Sequence, residues 1–190
     1  MSEHSISRRA IALGLAGVGL ASNAWAAGEE TYSEPEIVRA AENFFGAGAE
    51  GVAAVVRHVF EDHGRPNGYI EGQEGSGALG FGLRYGSGDL HLRAYPGTTH
   101  VYWQGPSIGF DTGGNASKVF TLVYGMGHPD QMFQRFPGVD GSAYFVGGVG
   151  VNYQRADNIT LAPMRAGVGF RLGANVGYLA YSRNRRINPF

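Results

Sequence analysis

Residues 79–95 read Leu79-Gly80-Phe81-Gly82-Leu83-Arg84-Tyr85-Gly86-Ser87-Gly88-Asp89-Leu90-His91-Leu92-Arg93-Ala94-Tyr95, and this stretch decides the fold class. Leu79, Phe81, Leu83 and Tyr85 alternate with Gly80, Gly82 and Arg84. Leu90, Leu92 and Ala94 then alternate with His91, Arg93 and Tyr95. A period of two belongs to strands with one buried face. Gly86-Ser87-Gly88-Asp89 lies between the two runs and reads as a turn, so the spacing predicts a β-hairpin.

Working outward towards the C-terminus, Pro96-Gly97 marks the next turn, and Thr99, Val101 and Trp103 form another alternating set. Val119, Thr121 and Val123 oppose Phe120, Leu122 and Tyr124, which predicts a strand buried on both faces. Pro129-Asp130 opens a short helix with Met132, Phe133 and Phe136 turned inward. One long extended stretch puts Phe145, Val149, Val151 and Tyr153 on a shared face; a second does the same for Val168, Phe170 and Leu172. Val176, Tyr178 and Ala180 end the pattern.

Towards the N-terminus the period changes. Ser33-Glu34-Pro35-Glu36 is a helix start: a capping serine, proline in the first turn and an acid three residues after the cap. Ile37, Ala41, Phe44 and Phe45 share a face until Gly46-Ala47-Gly48. A second helix carries Val52, Val55, Val56, Val59 and Phe60, with Gly64 and Pro66 to stop it. Helices thus precede the strands instead of alternating with them, which excludes a doubly wound α/β fold. The chain contains 32 glycines in 190 residues. Glycines set along long antiparallel strands are what a small barrel uses to bend and close. The expected fold is mainly β: a small soluble antiparallel barrel of about eight strands, with an N-terminal pair of α-helices and one short internal helix.

Residues 1–26 read as a cleavable secretory leader. Arg8-Arg9 supplies the basic start, Ala10–Ala21 the apolar run, and Ala24-Trp25-Ala26 the small-residue cleavage site. The paired arginines also suit twin-arginine export. Residues 27–190 then form a single domain in the periplasm with no transmembrane span. The net charge of −1 gives no basic field for nucleic acid. Cysteine is absent, which removes thiol catalysis, Cys-ligated zinc and iron–sulfur clusters.

Several patterns look chemical. Gly105-Pro106-Ser107-Ile108-Gly109 matches the nucleophile elbow of hydrolases, but the alternation running on through Ile108-Gly109-Phe110-Asp111 reads as strand, so a kink between strands is the simpler reading. Asp111-Thr112-Gly113 resembles half of an aspartic protease site, which needs two carboxylates. His58, Asp62 and His63 could approach a metal, yet three such groups at a helix end more often form a solvated cap. No catalytic set, metal or cofactor is expected. An integral outer-membrane barrel ending at Phe190 is the competing architecture, although the last residues are charged and carry Pro189.

Six segments together carry a family resemblance: Phe44-Phe45-Gly46, Gly64–Ile70, Gly82–Gly86, Trp103–Asp111, Gly141–Phe145 and Asn188-Pro189-Phe190. Over the whole of residues 27–190 the chain resembles the EipA-type envelope integrity proteins of alphaproteobacteria. The resemblance implies a soluble periplasmic barrel of about eight strands that helps the envelope withstand stress, with no catalytic residues to carry over. The function expected is therefore non-enzymatic support of the envelope, by binding a lipid, glycan or protein. A periplasmic hydrolase using Ser107 or Asp111 is the alternative. Tyr102, Trp103, Arg84 and Arg93 are the candidate contact residues, because aromatic and arginine side chains dominate binding hot spots. The alternative for these four is that Trp103 is core and the arginines are solvated.

Overall fold

A computed structural model describes residues 30–46, 51–77, 81–108, 117–166 and 177–186. The leader at 1–26, Asp111 and the stretch Val168–Leu172 lie outside the described residues.

Helix α1 spans Glu34–Phe45. The Glu36 carboxylate accepts from the Ser33 backbone N–H (2.8 Å) and from its hydroxyl (2.7 Å), tying down the first turn. Helix α2 spans Val52–His63 and stops at Gly64, whose φ of +72° favours a residue without a side chain. Ile37 and Ala41 from α1 and Val52, Val55, Val56 and Val59 from α2 are fully buried. Both predicted helices are present, on the faces their spacing indicated.

Ten antiparallel strands follow among the described residues. They are β1 (Gly68–Gly77), β2 (Phe81–Leu92), β3 (Thr98–Ile108), β4 (Ser117–Tyr124), β5 (Arg135–Pro137), β6 (Tyr144–Val146), β7 (Val149–Val151), β8 (Gln154–Ala156), β9 (Ile159–Ala166) and β10 (Tyr178–Ser182). A 3₁₀ turn, Pro129–Met132, separates β4 from β5. The strand order is β5-β10-β3-β2-β1-β4-β9-β7-β6, with β8 also on β9. β7 and β8 follow each other along one edge of β9. The β5 end of this path closes onto β8, where Gly138, just after β5, bridges Gln154 and Val139 N–H donates to Tyr153 C=O at 2.9 Å. The sheet therefore curls into a barrel-like wall, as the glycine content predicted.

Two of the expectations need correction. Gly86-Ser87-Gly88-Asp89 is not a turn: β2 runs straight through it, paired with β1 on one side and β3 on the other. The glycines are there for closeness. A Cβ on Gly86 would lie 2.2 Å from the Trp103 indole, and one on Gly72 would lie 2.5 Å from it. A Cβ on Gly88 would lie 2.4 Å from the Glu71 carbonyl. Gly72 and Gly86 form a recess inside the wall that the indole fills. The second correction is at 145–153, which is not one extended stretch. Gly147 and Gly148, at φ +54° and +76°, turn it into the tight β6–β7 hairpin with Val146 opposite Val149. Phe145 consequently points outward, 40% exposed.

The strands bury two separate clusters, one on each side of the wall. Inside sit Ile70, Leu90, Leu92, Val101, Trp103, Val119, Val123, Met132, Phe136, Leu161, Leu179 and Tyr181. Outside, Phe120, Leu122, Ala162, Met164, Val149 and Val151 pack beneath the helices. β4 feeds both, which is why its sequence is apolar at every position from Val119 to Tyr124 except Thr121. Lys118 ties the layers together by donating from Nζ to the Phe44 carbonyl at the end of α1 (2.7 Å).

Candidate functional site

The inward faces of β1, β2 and β9 change character along their length. Ile70 gives way to Glu74, Leu90 to Arg84, and Leu161 to Arg165. Glu74 is only 7% exposed. Arg165 meets it twice, Nε to Oε1 at 2.5 Å and Nη2 to Oε2 at 3.3 Å. Trp103 Nε1 donates to Oε2 at 3.2 Å, and Arg84 Nε lies 3.6 Å from Oε1. Arg165 also donates to the Asn152 side-chain oxygen (3.0 Å), which sits between β7 and β8. Burial alone would raise the Glu74 pKa; the Arg165 and Arg84 guanidiniums and the two donors outweigh it and hold the carboxyl below its ordinary value. This carboxylate stays charged and saturated with donors. It ties β1 to β2, β3 and β9 across the inner face.

The outward face of the same strands carries a cleft of about 220 Å³. Register explains it. Gln73, Ser87, Tyr102 and Ser182 lie in one cross-strand row, and Gly75, Tyr85, Gln104 and Ala180 in the next. Large and small side chains alternate diagonally, so Tyr85 and Tyr102 stand up beside shallow positions. Arg185 and Arg186, both exposed, come over the cleft from the end of β10. Gln104 is 5% exposed.

The four residues singled out from sequence therefore do not form one site. Trp103, 3% exposed, faces inward with Arg84, joined through Glu74. Tyr102, one residue along the same strand, faces outward into the cleft. Arg93 lies apart, clamping the β2–β3 turn to α1: its Nη1 reaches Glu36 Oε1 at 3.0 Å and its guanidinium lies 4.9 Å from the Tyr32 ring centre. Glu74, Arg165 and Gln104 were not anticipated.

Of the other chemical-looking patterns, Asp111-Thr112-Gly113 lies outside the described residues, and those at Ser107 and at His58, Asp62 and His63 are described. Ser107 pairs with Gly82 inside β3, so its backbone has neither the strand-to-helix turn of a nucleophile elbow nor the kink between strands expected from sequence. Asp62 accepts from the Tyr153 hydroxyl at 2.6 Å and lies 3.5 Å from His58 Nε2, while His58 stacks on Tyr144. His63 packs edge-on against Tyr153 with ring centres 4.4 Å apart. Among the described residues, no group of three or more His, Asp or Glu side chains is arranged to hold a metal, and no helix is long and apolar enough to cross a membrane.

A small antiparallel barrel with side chains packed inside it and two helices on one flank places the chain in the class of beta-barrel-like proteins. The sequence model of the family "EipA: Envelope integrity protein A" matches residues 30–190, and the chain belongs to that family. A solved structure from Brucella abortus, described as a beta-barrel-like, uncharacterized protein, is 45% identical, with a TM-score of 0.77. The match covers 85% of this chain and 99% of that one. No curated protein matches.

Proposed function

We propose that this protein is a non-enzymatic periplasmic component that supports envelope integrity by binding an envelope lipid, glycan or protein at its outer surface. Export follows from the leader at residues 1–26, and family membership supplies the envelope role. The observation that carries the binding mode is the packing of apolar side chains inside the barrel among the described residues. Trp103, Phe136, Leu179 and Tyr181 occupy the axis where a hollow barrel would take an acyl chain. Binding then falls to the outside, where the cleft at Tyr102 is open.

The order of polarity also favours a soluble barrel. Inward residues are apolar apart from the Glu74, Arg84 and Arg165 cluster, and the outward face of β1–β3 carries Gln73, Asp89, His91 and His100. A lipid-embedded barrel has the reverse arrangement. Osmotic shock without detergent should release the protein, and deleting its gene should sensitise the bacterium to detergent. Retention in the membrane fraction, or a deletion strain as resistant as its parent, would overturn the proposal.

A further inference from the structure

Resting on that surface-binding reading, we infer that the outward cleft of β1–β3 and β10 binds an anionic saccharide, a sugar ring bearing a carboxylate or phosphate. The lining is wrong for an acyl chain: between its two tyrosines it offers amides, hydroxyls and guanidiniums. It is right for a ring. Tyr85 and Tyr102 are diagonal neighbours, Tyr85 opposite Gln104 and Tyr102 opposite Ser87. Diagonal positions on adjacent strands are about 7–8 Å apart. Atoms in van der Waals contact are about 3.5–4.0 Å apart, so one pyranose ring fits between two aromatic side chains at that spacing.

The polar groups complete the match. Gln73, exposed in the cleft, presents an amide that both donates and accepts, as hydroxyl-rich rings require. Arg185 and Arg186 bring two guanidiniums to the same cleft. The acid in its wall, Glu74, is already neutralised from the inner side by Arg165 and Arg84. The cleft is thus net positive, and guanidinium forks favour carboxylate or phosphate. The indole of Trp103 fixes the wall from behind by filling the Gly72 and Gly86 recess, so the two tyrosines stand on a rigid surface.

Calorimetry on the full chain tests this with four probes: a uronic acid oligosaccharide, the same oligosaccharide with its carboxyls reduced, inorganic phosphate, and vesicles carrying a phosphorylated disaccharide headgroup. The acidic oligosaccharide or the headgroup should bind, and which of them binds identifies a polymer or a lipid source. Tyr102→Ala should weaken that binding about tenfold, a typical hot-spot loss. The double variant R185Q/R186Q should weaken it about as much while leaving the reduced oligosaccharide unaffected. Tyr102 is partly buried, edge-on to His100, and an unchanged melting temperature verifies that its variant folds. Phosphate binding as tightly as the saccharides, binding indifferent to Tyr102→Ala, or no saccharide binding would overturn the inference. A detergent-sensitive deletion strain combined with any of those outcomes would leave the surface-binding role standing with another ligand.

Discussion

The outer surface of the wall has two halves built from the same alternating strands. Under the helices, outward positions of β4, β9 and β7 are Phe120, Leu122, Ala162, Met164, Val149 and Val151, all fully buried. Away from the helices, outward positions of β1–β3 are Gln73, Ser87, Asp89, His91, His100 and Tyr102. Tyr69 sits on the border, stacked on Phe120 on one side and on His91 on the other. Strand period sets which residues point outward on both halves; the covering layer decides what those residues can be. The covered half is packed against the helices, and the bare half faces solvent.

Substitutions that remove that contrast should show the largest effects on the covered half. Phe120→Ala empties a site between α1 and β4 and should cost about 3–5 kcal/mol, read from denaturant midpoints. A cost below about 1 kcal/mol would mean that the helices barely depend on this face. Arg165→Met strikes the wall from inside. It leaves the buried Glu74 carboxylate with Arg84 and the indole N–H, and should cost about 3 kcal/mol. Because Glu74 is held ionised in the folded state and its pKa is lowered, its contribution is present above the unfolded carboxylate range and lost as pH falls through the folded value. The Arg165→Met deficit should therefore shrink in acid; a deficit independent of pH would mean that the pair is not the cause.

Gly86→Ala tests the wall itself. Its Cβ would meet the Trp103 ring at 2.2 Å, and a rigid indole set between Gly72 and Gly86 has little room to move. Overpacking of this kind costs about 1–3 kcal/mol. A neutral result would show that the indole has another place to go. On the bare half, Tyr102→Ala should change stability by less than about 0.5 kcal/mol, since it leaves neither a core cavity nor a buried charge. A large loss would mean that Tyr102 is structural, and the contrast between the halves would fail.

The same contrast explains what could be read from the chain. The helices were legible because caps and the four-residue spacing of Ile37 and Ala41 are local signals. β4 was legible because both of its faces are apolar. The β2 region misled at one point. Its apolar residues change parity between Tyr85 and Leu90, and a turn at Gly86–Asp89 would restore a single buried face. The actual reason is that the inner face turns polar along one continuous strand, from Leu90 to Arg84. Nothing local announces this, because the partner carboxylate Glu74 sits in another strand and Arg165 lies 91 residues beyond it. Trp103 and Tyr102 were singled out by residue type, which carries no information on facing; adjacency in a strand places them on opposite sides of the wall.

The smallest expected effect lies at the seam where the covering layer ends. His63, the last residue of α2, packs against Tyr153 and Tyr124, with Asp62 beside it and Arg155 nearby. Burial lowers its pKa; the Asp62 charge opposes that shift and Arg155 adds to it. A folded pKa below the unfolded value of 6.5 means that protonation favours the unfolded chain. The contribution is complete above pH 6.5 and is lost as pH falls through the lower folded value. Glu36, held at about 2 by the Ser33 backbone and hydroxyl donors with help from Arg93, loses its contribution only in stronger acid. Melting temperatures at pH 7.5 and 5.0 therefore bracket the His63 titration without that of Glu36, and the His63→Gln variant separates it from the other histidines. The drop between them should be smaller in His63→Gln than in the wild type. An equal drop would place the acid sensitivity elsewhere and leave the docking of α2 on the barrel independent of this side chain's charge.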